Sequence, residues 1–233
     1  MAFVPGFKSR LLVGDFHIAA YTQEASAPWE QDMLDATVLT SGGVKEYVGG
    51  QDTSTLNISG LYDTAEHADL ASWKSSDAQA VTFGPSGLAL GAELWMADAL
   101  LTSMELGASA AGMATFSLGA QTDGPTDMGV SLHDLTAVTA DTSGTGVDGT
   151  AATTGGGVAH LHVTAFSGFS GADVIIEDSA NNSDWATIGT LTTVAGVTSE
   201  RLAIAGTIRR YTRYSIDVTG TGSITFAVGL ARR

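Results

Sequence analysis

Hydrophobic and polar residues alternate with a period of two along much of this chain. From Gln51 to Gly60, Ser54, Leu56 and Ile58 fall on one face and Thr53, Thr55, Asn57 and Ser59 on the other. Successive strand side chains point to opposite faces, so this spacing predicts a half-buried strand with a wet side. Ala80 to Phe83 reads as a strand closed by Gly84-Pro85, and Glu93–Leu106 and Met113–Leu118 as two more. Asp63 with Glu66 three residues on fits a helix N-cap. Ala65, Ala68, Leu70, Ala71 and Trp73 after it predict one short helix over residues 64–74. Between Pro28 and Gly50 the hydrophobic pattern is too weak for a core strand, and glycines pair at 42–43 and 49–50. A long hairpin or loop is predicted there.

The second half alternates more cleanly. Leu161, Val163 and Ala165 share one face of a strand over His160–Phe166, and Ala172–Glu177 is a second short strand. Leu202 and Ile204 mark another; Thr212, Tyr214, Ile216 and Val218 line one side of the next, and Ile224, Phe226, Val228 and Leu230 one side of the last. Such strands, punctuated by Gly and Asn-Asn turns, predict an antiparallel sandwich. Residues 139–157 are Gly/Thr-rich, as a linker or long loop is. The expectation is a mainly β protein. Residues 1–142 would form a β-sandwich or barrel with one flanking helix, and residues 143–233 a second, antiparallel β-sandwich.

Charge divides along the same line. The net charge is −15, and residues 1–140 hold 17 acids against 4 cations, whereas residues 141–233 hold 8 against 6. Phosphate affinity rests on Lys and Arg, so an acidic face is no nucleic-acid binding site, although DNA can pass it without adhering. There is no cysteine, which removes disulfides and thiolate metal sites. No apolar run approaches the roughly 18 residues of a membrane span. The first ten residues lack a signal-peptide core, so synthesis in the cytoplasm is expected.

Candidate chemistry is sparse. His160 and His162 have a chelating spacing on one strand face, read as the polar face of the sandwich, and no third ligand lies nearby in sequence. Asp32 and Asp35 could pair for acid–base work, but no nucleophile accompanies them, and contact within a loop is the plainer reading. Neither a Gly-Lys-Ser/Thr phosphate loop nor a G-x-S-x-G elbow occurs. Arg209, Arg210, Arg213, Arg232 and Arg233 form the basic concentration, either a solvated face or a contact with an acidic neighbouring module. Trp185 and Tyr211 are candidates for stacking on a glycan. The expectation is a non-enzyme with no cofactor and no metal.

The order of elements in the first half resembles the tail tube (major tail) proteins of long, flexible-tailed bacteriophages. The likeness is carried by Asp32-Met-Leu-Asp35-Ala-Thr37, by Gly42-Gly43-Val-Lys45-Glu-Tyr47-Val-Gly49-Gly50, and by Leu56-Asn-Ile58-Ser-Gly60-Leu-Tyr-Asp63. A helix, a strand closing at Pro85-Ser86-Gly87 and a final strand pair follow, over residues 10–135 or so. The resemblance implies hexameric rings stacked into a hollow tube, their inner sheets joined across subunits around an acidic lumen. It implies a structural protein of the virion tail, with viral DNA and a tape measure protein in the lumen and tail terminator and tail tip proteins at the ends. Thr53, Thr55, Asn57, Ser59 and Glu105 would line the lumen. The loop with Trp29, Asp32, Asp35, Thr37, Lys45 and Tyr47 would bridge subunits and rings. The second module resembles the sandwiches such proteins carry outside the tube. A carbohydrate-binding module for host surface glycans, or another virion surface or decoration protein, is the alternative.

Overall fold

The computed structural model describes residues 6–18, 22–38, 42–63, 73–74 and 77–233. Their regular structure is almost wholly strand, and all the strand pairs are antiparallel. The first half holds β1 (Arg10–Val13), β2 (Phe16–His17), β3 (Thr22–Ser26), β4 (Trp29–Asp35) and β5 (Tyr47–Leu61). It continues with β6 (Gln79–Gly84), β7 (Glu93–Gly107), β8 (Thr115–Thr122) and β9 (Asp127–Val138). The second half holds β10 (Thr142–Ser143), β11 (Val147–Asp148), β12 (Gly157–Ser179), β13 (Ala186–Thr190), β14 (Thr198–Ile204) and β15 (Tyr211–Arg232). The helix expected over 64–74 lies outside the described residues except for its last two, Trp73 and Lys74, which are helical.

Two apolar clusters organise these strands. The first takes Leu11 and Val13 from β1, Leu56 and Ile58 from β5, Val81 from β6, and Phe116 and Leu118 from β8, with Trp73. The 54/56/58 alternation is thus real: Leu56 and Ile58 point into this core, and buried Ser54 donates to the Pro28 carbonyl at 2.8 Å. The long β7 serves both layers of this half. Its start pairs with β6 and β9, its end with β8, and the register shifts between Leu101 and Ser103.

The second cluster is built by β12 and β15, which pair along nearly their whole length. Each replaces two short strands expected from the sequence. Straight, the 23 residues of β12 would span about 75 Å. Register shifts near Ser167–Gly171 and positive φ at Gly168 (80°) and Gly220 (99°) kink both strands. Leu161 and Val163 from one arm then meet Val174 and Ile176 from the other in one core. A side chain is excluded at Gly222, where a Cβ would stand 2.1 Å from the Ser167 carbonyl oxygen.

β9 is among the elements that periodicity missed, with β1, β2, β3, β10, β11 and β13, and it stitches the halves together. It pairs with β7 on one edge and with β15 on the other. A third apolar cluster, with Leu12, Leu94 and Met96 against Ala227 and Ala231, fills the junction. Asp127, nearly buried, receives two hydrogen bonds of 2.8 Å from the Arg233 guanidinium and one of 3.3 Å from Arg201. Arg201 also approaches Asp98 at 3.6 Å. Asp127→Ala leaves two arginines without their shared anion. Because both are part exposed, the expected loss is about 2 kcal/mol, below that of a fully buried pair. Thermal melting checks this, and an unchanged midpoint would show that the knot is dispensable.

Candidate assembly surfaces

β3, β5, β8 and the end of β7 form a four-stranded sheet in that order, its directions alternating. One face is the core just described; the other is wet. Ser59 stands beside Glu24 of β3 and Ser117 of β8, and Ser117 stands beside Glu105 of β7. Asn57 stands likewise between Ser26 and Gly119. Register therefore brings Thr55, Asn57, Ser59 and Glu105 onto one surface, with Ser103, Ser117 and Gln121 among them. Thr53 continues it onto the hairpin, opposite Glu30. Among the described residues the charges of this surface are all carboxylates, Glu24 and Glu105 on the sheet and Glu30 on the hairpin, and the rest is hydroxyl and amide. Hydrogen-bonding groups that stay solvated, with no cation, give a face that holds water and no counter-charge for phosphate.

The predicted long hairpin is a two-stranded ribbon. β4 pairs with the first part of β5 from Trp29↔Ser54 to Asp35↔Tyr47, beyond the reach of β8. Its base is clamped: Thr55 N donates to the Pro28 carbonyl at 3.2 Å, and Gln121 and Thr122 donate to the Ser54 carbonyl at 3.0 and 2.9 Å. Toward its tip, Thr37 N donates to Asp35 Oδ1 at 2.9 Å and Glu46 N to Thr37 Oγ1 at 3.0 Å. Hydrogen bonding from the Thr37 side chain, and then from its backbone N–H, holds the Asp35 carboxyl below its ordinary range. Asp35 and Thr37 thus hydrogen-bond to each other at the ribbon's end, and Asp32 lies with Asp35 on the exposed strand β4. Trp29, Met33, Leu34, Val38, Val44, Tyr47 and Val48 are each at least half exposed, and Lys45 is exposed beside them. Leu34 sits opposite Val48, while Met33 lies on the other face opposite Gly49, so the ribbon is apolar on both sides. Two strands alone are marginal in water, and an apolar patch of this kind marks a contact surface.

The other candidates fare differently. Trp185 is half-buried, and the Arg213 guanidinium stacks over its ring at 4.2 Å, so one stacking face is already taken. Tyr211 has Arg210 over its ring at 5.0 Å. Arg209, Arg210 and Arg213 are tied within the second half to Asp178, Asp148 and Glu177; Arg201 and Arg233 cross to the acidic first half.

His160 and His162 are not on a wet face. Both are buried, because the first half covers the side of β12 that faces away from its own core. His162 Nδ1 donates to the Gly14 carbonyl at 2.7 Å, so its Nε2 accepts from Thr82 Oγ1 at 2.8 Å. Thr82 Oγ1 also lies 3.3 Å from His160 Nδ1. Burial pushes His162 down to about 4 and His160 well below the ordinary imidazole value, with His162 and Arg201 adding to the latter. Partners 80 and 148 residues distant in sequence left no local signal for this network.

Neither a family model nor a curated protein matches the chain. Among solved structures, a chain from the virion of a native gene transfer agent particle is similar over 54% of this chain and 98% of its own, at 17% identity and a TM-score of 0.43. The Dit protein of SPP1, a hub of the adsorption apparatus in phages infecting Gram-positive bacteria, is similar over 94% of this chain and 98% of its own, at 13% identity and a TM-score of 0.35. A chain of the phage p2 baseplate is similar over 97% of this chain and 98% of its own, at 9% identity and 0.36.

Proposed function

We propose that this chain is a non-catalytic structural subunit of a bacteriophage-type tail, forming hexameric rings that stack into a tube. The observation that carries this reading is the β3–β5–β8–β7 sheet, with one core face, one wet cation-free face and two edges unpaired among the described residues. An open sheet of this kind is a liability in isolation, and pairing edge to edge around a ring removes it. The wet face then lines the lumen, where Glu24 and Glu105 keep DNA from adhering. The apolar β4–β5 ribbon, whose described residues beyond Ser54 join none of the three apolar clusters, reaches the adjacent subunit and the next ring. The second half sits outside the tube.

Negative-stain microscopy of the purified protein tests this. Rings or tubes are the expected result; discrete monomers over the whole range of salt and concentration would overturn it. The same preparation is expected to show no salt-sensitive retention on DNA.

A further inference from the structure

The two edges of the four-stranded sheet differ in a way that matches. Beside β3 runs a groove of about 640 Å³, lined on its apolar side by Phe7, Leu11, Ala25, Phe83 and Pro85. Phe7 is 81% exposed there. At the opposite edge, β7 beyond Ala99 pairs only with β8 among the described residues. That edge carries Leu106, 51% exposed, and the turn after it carries Met113, 68% exposed.

Both features lie on the same side of the sheet. Leu106 stands beside Phe116 and Met104 beside Leu118, on the core side, and Ala25 stands beside Ile58, also on the core side. The strand order β3, β5, β8, β7 contains an even number of alternating directions. The β7 edge of one copy therefore continues antiparallel onto the β3 edge of another with both faces preserved. Side chains have a period of two, so a slip of one residue between copies would set Leu106 opposite a wet-facing residue of β3 and Glu105 opposite a core-facing one. One alignment parity satisfies both.

We infer that the groove beside β3 is the socket for the β7 end of a second copy of this chain, which inserts Leu106 with Met113 beside it. This rests on the ring reading above and adds the contact that sets its register.

The chain has no cysteine, so introduced thiols report cleanly. The Ala25→Cys/Leu106→Cys double variant, treated with a short bismaleimide, is expected to give a ladder of covalent oligomers. A mixture of the two single variants is expected to stop at the dimer, and either alone to stay monomeric. Cross-linking of one single variant with itself means a two-fold contact and overturns the inference. Rings seen by microscopy without a ladder overturn this contact and leave the ring standing; a ladder without rings supports the contact and overturns the ring. Cross-linking that begins only after residues 1–5 are removed assigns the groove to the chain's own start, and the inference falls. Leu106→Glu gives a second readout: assembly is expected to weaken about tenfold or more with unchanged melting, and undiminished assembly overturns the proposal.

Discussion

Replacing residues 31–52 with a two-residue Asn-Gly turn is expected to abolish assembly and leave the monomer's melting within a few degrees of the parent. Glu30 and Thr53 are register partners, so the shortened strands remain a legal hairpin for a type I′ turn. The described residues among those excised contribute nothing to the three apolar clusters. The clamp at Ser54, Pro28, Gln121 and Thr122 stays in place. What is lost is surface. The exposed apolar side chains from Met33 to Val48 offer about 1 kcal/mol each on burial against a neighbour, several kcal/mol per ribbon before ordering costs. Sedimentation velocity beside a melting curve separates the outcomes. Full assembly of the shortened protein would remove the ribbon from the contact, whereas a collapsed melting point would make it part of the fold.

Acidification is expected to loosen the junction between the halves before the carboxylates respond. His162 is held near 4 and His160 well below its ordinary value, both first by burial, so the folded state keeps them neutral. A histidine whose folded value lies below its unfolded one, about 6.5, contributes its full stability above pH 6.5. That contribution drains as pH falls toward the folded value, at up to 1.4 kcal/mol or so per pH unit per histidine. For His162 the total is about 3 kcal/mol by pH 4, with His160 adding to it. Asp148, held at about 2 by its Arg210 and Thr150 hydrogen bonds, acts only below the ordinary carboxylate range. Denaturant melts from pH 7.5 to 4 are therefore expected to show a decline starting near 6.5. His162→Gln keeps a donor and an acceptor but not the titration, and should reduce the slope by about one proton. A flat profile between pH 6.5 and 4.5 would contradict the buried neutral pair.

Local pattern and long-range cover explain which parts of this structure were readable in advance. The 53–59 alternation gave both faces of β5, because one side meets a core and the other meets water. The ribbon over residues 29–54 was readable from the weakness of its pattern. The second half failed where both sides of a strand are covered. At β12 the alternation of histidine with Leu161 and Val163 implied a wet side, yet Thr82 and Gly14 close over it from the other half of the chain. β9 went unread for a related reason. Ser131 is wholly buried, donating to the Leu88 carbonyl at 2.7 Å, so a polar residue stands where a junction strand needs a hydrogen bond. The wet surface was legible as residue types on β5; its extension through Ser117 to Glu105 required the register of three strands.

The clamped ribbon leaves the four-stranded sheet at one end only, past Ser54, and in the proposed ring the even strand count would make every joined copy face the same way. The two rims of such a ring are then chemically distinct, one bearing apolar ribbons and the other receiving them. A stack of such rings, as proposed, would be a vector with a head and a tail: it would start at one rim and stop at the other, and no subunit could be added upside down.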